Sequence, residues 1–238
     1  MFKIIAQTAD FVVIAKRADV NFHDEGDLGT GLFSQVKAHL IKHNSITELY
    51  PVHRLDKMTS GLVVFATNLT SAQLFSELFK NHLVEKYYLA ISDSKPTKKQ
   101  GLIKGDMEKS RRSMFKLVRT MENPAITQFF SYALGDGKRL YLLKPHSGKT
   151  HQLRVALSSI GAPIMGDPLY SSNKTPKSEP KSMHDRGYLH AYALRFNFCD
   201  KEYEFTFPAE EGEFFLTKSI KDKLNEIGQP WSLSWPKI

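Results

Sequence analysis

His53-Arg54-Leu55-Asp56-Lys57-Met58-Thr59-Ser60-Gly61, followed at once by Leu62-Val63-Val64-Phe65-Ala66, sets a polar turn directly against a buried strand. Taken locally, the first nine residues are a turn in which Asp56 bonds to nearby backbone. The next five form an apolar run of strand length. Toward the amino terminus, residues 1–22 read as strand, turn, strand, with Phe11-Val12-Val13-Ile14-Ala15 bounded by Lys16-Arg17. His23 to Gly31 is a glycine- and aspartate-rich loop. Leu32, Phe33, Val36, Leu40 and Ile41 then recur at helical spacing. Toward the carboxyl terminus, a helix is predicted over about 69–82, its apolar stripe made by Leu74, Phe75, Leu78 and Phe79. Strands are predicted at Lys86–Ile91, 125–133 and 139–144, and a helix over about 150–160 carries Leu153, Ala156, Leu157 and Ile160 on one face. Leu194, Phe196 and Phe198, then Tyr203, Phe205 and Phe207, alternate with polar residues as two half-buried strands. The region 213–238 reads as an amphipathic helix, Phe214 to Ile227, with a Pro/Trp tail. Many strands, irregularly placed helices and no long linker predict a single α+β domain over 1–238 around a mixed, mainly antiparallel central sheet flanked by helices.

The composition narrows the function. A chain of 238 residues, 41% hydrophobic and 24% charged, is neither disordered nor a disulfide-stapled mini-protein. The longest apolar stretches fall well short of the roughly 20 residues a membrane-spanning helix needs. Lys3 followed only by Ile4-Ile5-Ala6 is too short for a signal peptide. The single cysteine, Cys199, permits no internal disulfide and no thiolate metal cage, and in its predicted strand it reads as inert packing. A cytoplasmic protein without a membrane partner is the expectation. Lys+Arg 33 against Asp+Glu 25 leaves +8, which favours a polyanionic partner, most commonly nucleic acid. Residues 92–116 concentrate Lys95, Lys98, Lys99, Lys104, Lys109, Arg111, Arg112 and Lys116 and read as a long solvated hairpin or loop. That stretch fits a phosphate-tracking surface as well as it fits an ordinary solvated edge. A second lysine-rich loop runs over about 171–187. His39 and His43 lie one helical turn apart, but the glutamate of a zinc-protease helix is missing, and no metal site is predicted.

Further runs give the 53–61 turn a different weight. They are Glu85-Lys86-Tyr87-Tyr88-Leu89-Ala90, Ser147-Gly148-Lys149-Thr150-His151-Gln152-Leu153-Arg154-Val155, Gly161-Ala162-Pro163-Ile164-Met165-Gly166-Asp167-Pro168-Leu169-Tyr170, and the later Leu189-His190-Ala191. In this order the chain resembles the RluA-type family of RNA pseudouridine synthases over about residues 5–210. The resemblance implies a pseudouridine-synthase-type domain with a central cleft; many relatives also carry an amino-terminal S4-type module, which is not expected here because the matching sequence begins almost at Met1. The resemblance also implies isomerisation of a specific uridine to pseudouridine in ribosomal or transfer RNA, needing neither metal nor organic cofactor; a monomer is the default expectation. Residue by residue it makes Asp56 the catalytic aspartate, Arg54 the residue associated with displacing the target base, Tyr88 the active-site aromatic and Arg154 the basic partner of Asp56. The same runs supply His53, Thr59, Lys86, His151 and Leu153 as candidates for contact with RNA or base. Ser147-Gly148-Lys149 stands where family members commonly carry Thr-Gly-Arg, and Ala156 where many have histidine.

These residue types suit the reaction. The N1–C1′ bond must break, the uracil must turn without escaping, C5 must join C1′, and the C5 proton must leave. A carboxylate begins this either by attacking the sugar or by taking a sugar proton, and must be ionised for both. Burial alone would neutralise it, whereas a guanidinium within hydrogen-bond reach favours the charged form. Tyr88 offers an aromatic face and a hydroxyl; Leu153 fits the floor beneath a uracil or its own helix core equally well. The base must leave its stack, and Arg54 is placed to fill the vacancy or hold a phosphate. Two other classes share these features: a catalytically silent RNA-binding or RNA-folding protein, and a hydrolase that would release free uracil.

Overall fold

The run Ser60–Ala66 is a strand buried at every position, so it must be covered on both faces. The computed structural model describes residues 1–43, 46–111, 113–171 and 184–238. Its strands are β1 (Phe2–Gln7), β2 (Phe11–Lys16), β3 (Tyr50–Pro51), β4 (Ser60–Ala66), β5 (Glu85–Ser92), β6 (Gln100–Gly105), β7 (Met107–Lys109), β8 (Phe115–Leu117), β9 (Ala125–Gly135), β10 (Lys138–Pro145), β11 (Leu189–Phe198) and β12 (Lys201–Thr206). The helices are α1 (Leu32–Lys42), α2 (Leu69–Lys80), α3 (Gln152–Ser159) and α4 (Lys218–Ile227). One mixed sheet runs β1-β2-β4-β11-β5-β10-β9-β6, with β12 paired to β11 and β3 to β4, and β7-β8 form a separate ribbon. This is the α+β domain with a mixed, mainly antiparallel sheet that the sequence predicts.

Alternation along β2 and β4 divides the core between the two faces of the sheet. Val12, Ile14, Val63 and Phe65 pack with Leu32, Val36 and Leu40 of α1. Phe11, Val13, Leu62, Val64 and Ala66 pack with Phe75 of α2 and with Phe196 and Phe198 of β11. The Phe11 ring meets Phe75, Phe196 and Phe198 edge-on at 5.6, 5.5 and 5.7 Å, the favoured arrangement for aromatic pairs. Each of these two helices is started by a local device. The Asp24 carboxylate gathers the N–H groups of Gly29 and Gly31 and the Ser34 hydroxyl at the head of α1, and these bonds hold its pKa below the usual value. The Asn68 side chain caps Ser71 N at 2.8 Å at the head of α2.

The centre of the sheet decides where the site lies. β11 sits between β4 and β5, antiparallel to β5 but parallel to β4 through only His190↔Ser60 and Ala191↔Gly61. Gly61 has φ +106, and a Cβ there would fall 2.2 Å from Ala191 O, so this approach needs glycine. The turn carrying Asp56 leads directly into this seam.

Several expectations are corrected. The stripe of α2 is narrower than its sequence suggests: Phe75 is buried, but Leu74 is 43% exposed because the helix lies on β4 through Ser71 and Phe75. Residues 92–116 are solvated as expected but are not one long hairpin or loop: β6 completes the sheet edge and β7-β8 make a short hairpin ribbon, with the lysines and Arg111 exposed. Arg112 lies outside the described residues, as do 172–183 of the second basic loop. At the end of that loop Arg186 is buried, not solvated. Lys16, expected as a polar boundary, ends β2 fully inside the protein. Cys199 is exposed in the β11–β12 turn with φ +50, rather than packed in a strand. The last helix begins at Lys218, because Phe215 is buried against Tyr188 in the turn before it. The tail is docked: Trp235 packs on Phe130 at 4.8 Å and on Tyr87 at 5.8 Å.

Candidate active site

A cavity of about 460 Å³ opens where the 53–59 turn, β5 and the head of α3 meet, within the size range of sites for small ligands. Its lining includes Arg54, Asp56, Lys86, Tyr88, Leu153 and Arg154. His53, Thr59 and His151 line it as well, so every site residue expected from the sequence borders one cavity.

The turn presenting Asp56 is closed by Thr59 N donating to Asp56 O at 3.0 Å. Beneath it, the Lys16 ammonium donates to the carbonyls of Lys57, Val20 and Arg17, each at 2.9 Å. Burial lowers the Lys16 pKa to about 7, and the three carbonyls use all of its donors. The Asp56 side chain is 23% exposed, open to the cavity.

Opposite it, α3 is pinned by Gln152, whose amide nitrogen donates to Ile126 O and Thr127 Oγ1, both at 3.1 Å, and whose oxygen accepts from Lys149 N at 3.0 Å. From this helix Arg154 reaches Asp56 Oδ2 with Nη1 at 3.3 Å. Its stronger partner is Asp167, to which Nε and Nη2 each donate at 2.8 Å in a two-pronged pair. Asp167 is wholly buried and also accepts from the N–H groups of Leu169 and Tyr170. The Tyr170 ring lies 5.1 Å from the guanidinium. Burial works against the charge of Arg154, but the bonds and charge of Asp167, with Asp56 behind them, push its pKa above the usual value. Arg154 is thus a permanent cation, aimed by Asp167 and offered to Asp56. The sequence alone gives Arg154 a single partner and Asp167 no role, although the Gly166-Asp167-Pro168-Leu169-Tyr170 run is the available signal.

On β5, alternation points Lys86 and Tyr88 into the cavity and Glu85 and Tyr87 to the far face. Burial, and then the nearby charge of Asp56, raise the Tyr88 pKa, so its hydroxyl stays protonated. Burial lowers the pKa of Lys86 to about 8. Its ammonium lies 5.6 Å from the Phe79 ring and has no hydrogen-bond acceptor or ion-pair partner among the described residues. Arg54 is exposed at the rim, also without an ion-pair partner among them. Leu153, mostly buried, contributes an apolar patch to the wall.

His53 and His151 each have partners of their own in the cavity wall. His53 Nε2 accepts from Val64 N at 2.9 Å, and its ring lies 4.9 Å from Phe79. Burial, reinforced by Lys86, holds its pKa at about 3, so it stands in the wall as a neutral ring. His151 adopts φ +58 at the head of α3, and its Nδ1 lies 3.0 Å from the Tyr170 hydroxyl. That hydroxyl accepts the N–H of Phe115 at 2.8 Å, tying the β7-β8 ribbon to the cavity. Lys149 also lines the cavity, as do Lys80 and His82, which the sequence does not single out.

A carboxylate, a fixed guanidinium, a protonated phenol and an ammonium with no ion-pair partner among the described residues, set around an apolar-walled cavity, can hold a flat polar ring and an anionic backbone together. A family model for RNA pseudouridylate synthase matches residues 10–159. The chain belongs to this family. An RNA pseudouridine synthase of Haemophilus influenzae, described as uncharacterized, is 42% identical over 222 residues, covering 93% of this chain and 94% of that one. The ribosomal large subunit pseudouridine synthase C of Rickettsia bellii is 39% identical over 138 residues, covering 56% of this chain and 46% of its own. Human RNA pseudouridylate synthase domain containing 1 superposes with a TM-score of 0.70 at 26% identity, covering 88% of this chain and 84% of that one. As an RNA pseudouridine synthase the chain is an isomerase acting on uridine in RNA. Among the described residues, no group of three His, Cys, Asp or Glu side chains is placed to hold a metal ion.

Proposed function

We propose that this pseudouridine synthase modifies a specific uridine of ribosomal or transfer RNA with Asp56 as its catalytic carboxylate, acting as a cytoplasmic monomer without metal or organic cofactor. The observation that carries the assignment is the placement of Asp56: partly open to the cavity, yet 3.3 Å from a guanidinium that Asp167 holds in place. In this reading the target uridine leaves its stack and enters the cavity. Asp56 either attacks C1′ or removes a sugar proton, and the N1–C1′ bond breaks. The detached uracil turns against Tyr88 and Leu153, and C5 joins C1′ as the Asp56 carboxylate leaves that carbon or hands back the sugar proton; C5 then loses its proton and N1 gains one. The apolar wall limits the access of water that would otherwise release free uracil. Arg54 takes the space left by the base, Lys86 and His151 face the RNA backbone, and Thr59 keeps the Asp56 turn closed. A ribosomal substrate is supported by the name of the Rickettsia bellii relative.

The test has two parts. Mapping pseudouridines across cellular RNA with and without the protein should reveal a lost site and so name the substrate. On that RNA labelled with tritium at uracil C5, Asp56→Asn should abolish tritium release while folding and RNA binding persist. Continued release by the folded variant would remove Asp56 from this role.

A further inference from the structure

Behind the seam of β4 and β11, on the side away from the catalytic cavity, lies a buried polar chain that the reaction does not use. Arg186 is 6% exposed. Its Nη2 donates to Ser60 Oγ at 2.7 Å and to Leu189 O at 3.1 Å, and its Nε to Gly187 O at 3.0 Å. Nη1 reaches Glu211 O at 3.3 Å and the Glu211 carboxylate at 3.5 Å. His190 Nε2 lies 2.7 Å from Phe207 O, which only accepts, so that nitrogen carries the ring proton. Burial holds the His190 pKa at about 4, leaving Nδ1 bare to accept from the Ser60 hydroxyl at 2.7 Å. The Ser60 oxygen is then free to accept from Arg186. All donors therefore point one way, from Arg186 through Ser60 and His190 to Phe207, an alignment in which each bond strengthens the next.

The backbone of Arg186 is engaged as well. Gly166 has φ +72, and a Cβ there would lie 2.0 Å from Arg186 O. Tyr188 N donates to Met165 O at 2.9 Å. Residues 165–167, which end in the aspartate that aims Arg154, are thus seated on residues 186–188. Ser60, the other end of the arrangement, ends the turn that presents Asp56.

We propose that Arg186 is a positioning residue for isomerisation: its side chain fixes the Asp56 turn against β11 while its backbone seats the Asp167 segment, so that it sets the spacing between Asp56 and Arg154. The proposal rests on the reading that Asp56 and Arg154 carry the reaction. Arg186 is buried behind the sheet and does not itself line the cavity, so its effect is on geometry and not on RNA contact. Lysine keeps the charge but lacks the planar fork that bonds Ser60, Leu189 and Gly187 together.

The test compares Arg186→Lys and Ser60→Ala with Val36→Ala, a core change in α1 away from the cavity. Rates and KM are measured on the mapped RNA under conditions where circular dichroism shows each variant folded, and hydrogen exchange is followed over residues 55–61 and 165–168. A misplacement of reacting groups by a fraction of an ångström predicts a single-turnover rate about ten- to hundredfold lower for Arg186→Lys. KM should stay within about twofold, since binding groups are untouched. Exchange should quicken in both segments, and Ser60→Ala should act in the same direction but more weakly. Val36→Ala should lose melting temperature yet keep its rate within about twofold. A folded Arg186→Lys or Ser60→Ala with wild-type rate, a loss that falls in KM, or an equal rate loss in Val36→Ala would overturn the proposal. Should Arg186→Lys fail to fold, Ser60→Ala decides. If the wild-type protein converts no uridine, the catalytic reading fails, while hydrogen exchange still shows whether Arg186 holds the two segments.

Discussion

The rear of the cleft and its mouth use polar groups in opposite ways. At the rear, Asp167 accepts four hydrogen bonds, Lys16 fills three carbonyls, and Ser60 and His190 are each engaged on both sides. At the mouth, Lys86 and Arg54 have no counter-ion among the described residues, and Asp56 keeps one edge open to the cavity. Buried polar groups with full complements hold shape, because losing one partner leaves the other desolvated and unpaired. Unfilled groups around a cavity are capacity held in reserve, which an RNA backbone and a uracil ring can use. Arg154 stands on the boundary: two of its nitrogens serve the rear and one the mouth.

Removing that shared guanidinium is the most disruptive way to test the division. Arg154→Ala leaves Asp167 buried without a counter-charge, which costs about 3–5 kcal/mol, so the melting temperature should fall together with activity. Unchanged melting and turnover would show that the rear does not depend on the pair.

A second test separates the regions by pH. The Lys86 pKa is lowered from 10.5 to about 8 in the folded chain. Between those values the unfolded chain holds a proton that the folded one has lost, so Lys86 makes stability rise with pH across that window. Activity runs the other way: kcat/KM should fall above about pH 8 as the ammonium needed at the mouth disappears. Arg in its place stays charged, so Lys86→Arg should move this alkaline limb to higher pH. A limb unaltered in the variant would assign it to another group.

The smallest effect is expected farthest from the chemistry. Replacing Lys98, Lys99 and Arg111 together with Arg112 should weaken RNA binding uniformly and flatten its salt dependence. On a single strand the slope should drop by about 0.7 log units for each phosphate that is no longer neutralised. An unaltered slope would make this edge an ordinary solvated surface.

The sequence is informative where function depends on a local run and silent where it depends on an approach between distant runs. Asp56, Tyr88 and Arg154 lie in runs that resemble a known family, and the fold brings them to one cavity. Asp167 belongs to such a run too, but its two-pronged bond to Arg154 exists only once the 166–170 turn closes over α3. Arg186 follows a stretch rich in lysine and polar residues, and nothing in that composition marks it as buried. The same holds for Lys16, which punctuates a strand on paper and supports the Asp56 turn in three dimensions. Strands β2 and β4 are readable because burial on both faces demands unbroken apolar runs. The α2 stripe reads too wide, since helical spacing shows which residues share a face but not how far the sheet covers it.

The central place of β11 has a consequence for synthesis. During synthesis β1, β2 and β4, and then β5, β6, β9 and β10, are all complete before Leu189 exists. Until then the nascent chain carries two half-sheets with bare inner edges, each a template for pairing with another chain. The last long strand closes both edges at once and, through Ser60 and Gly61, seats the Asp56 turn. Chains cut short before Leu189 should therefore be inactive and prone to aggregate, and the enzyme cannot act on RNA while most of it is still being made.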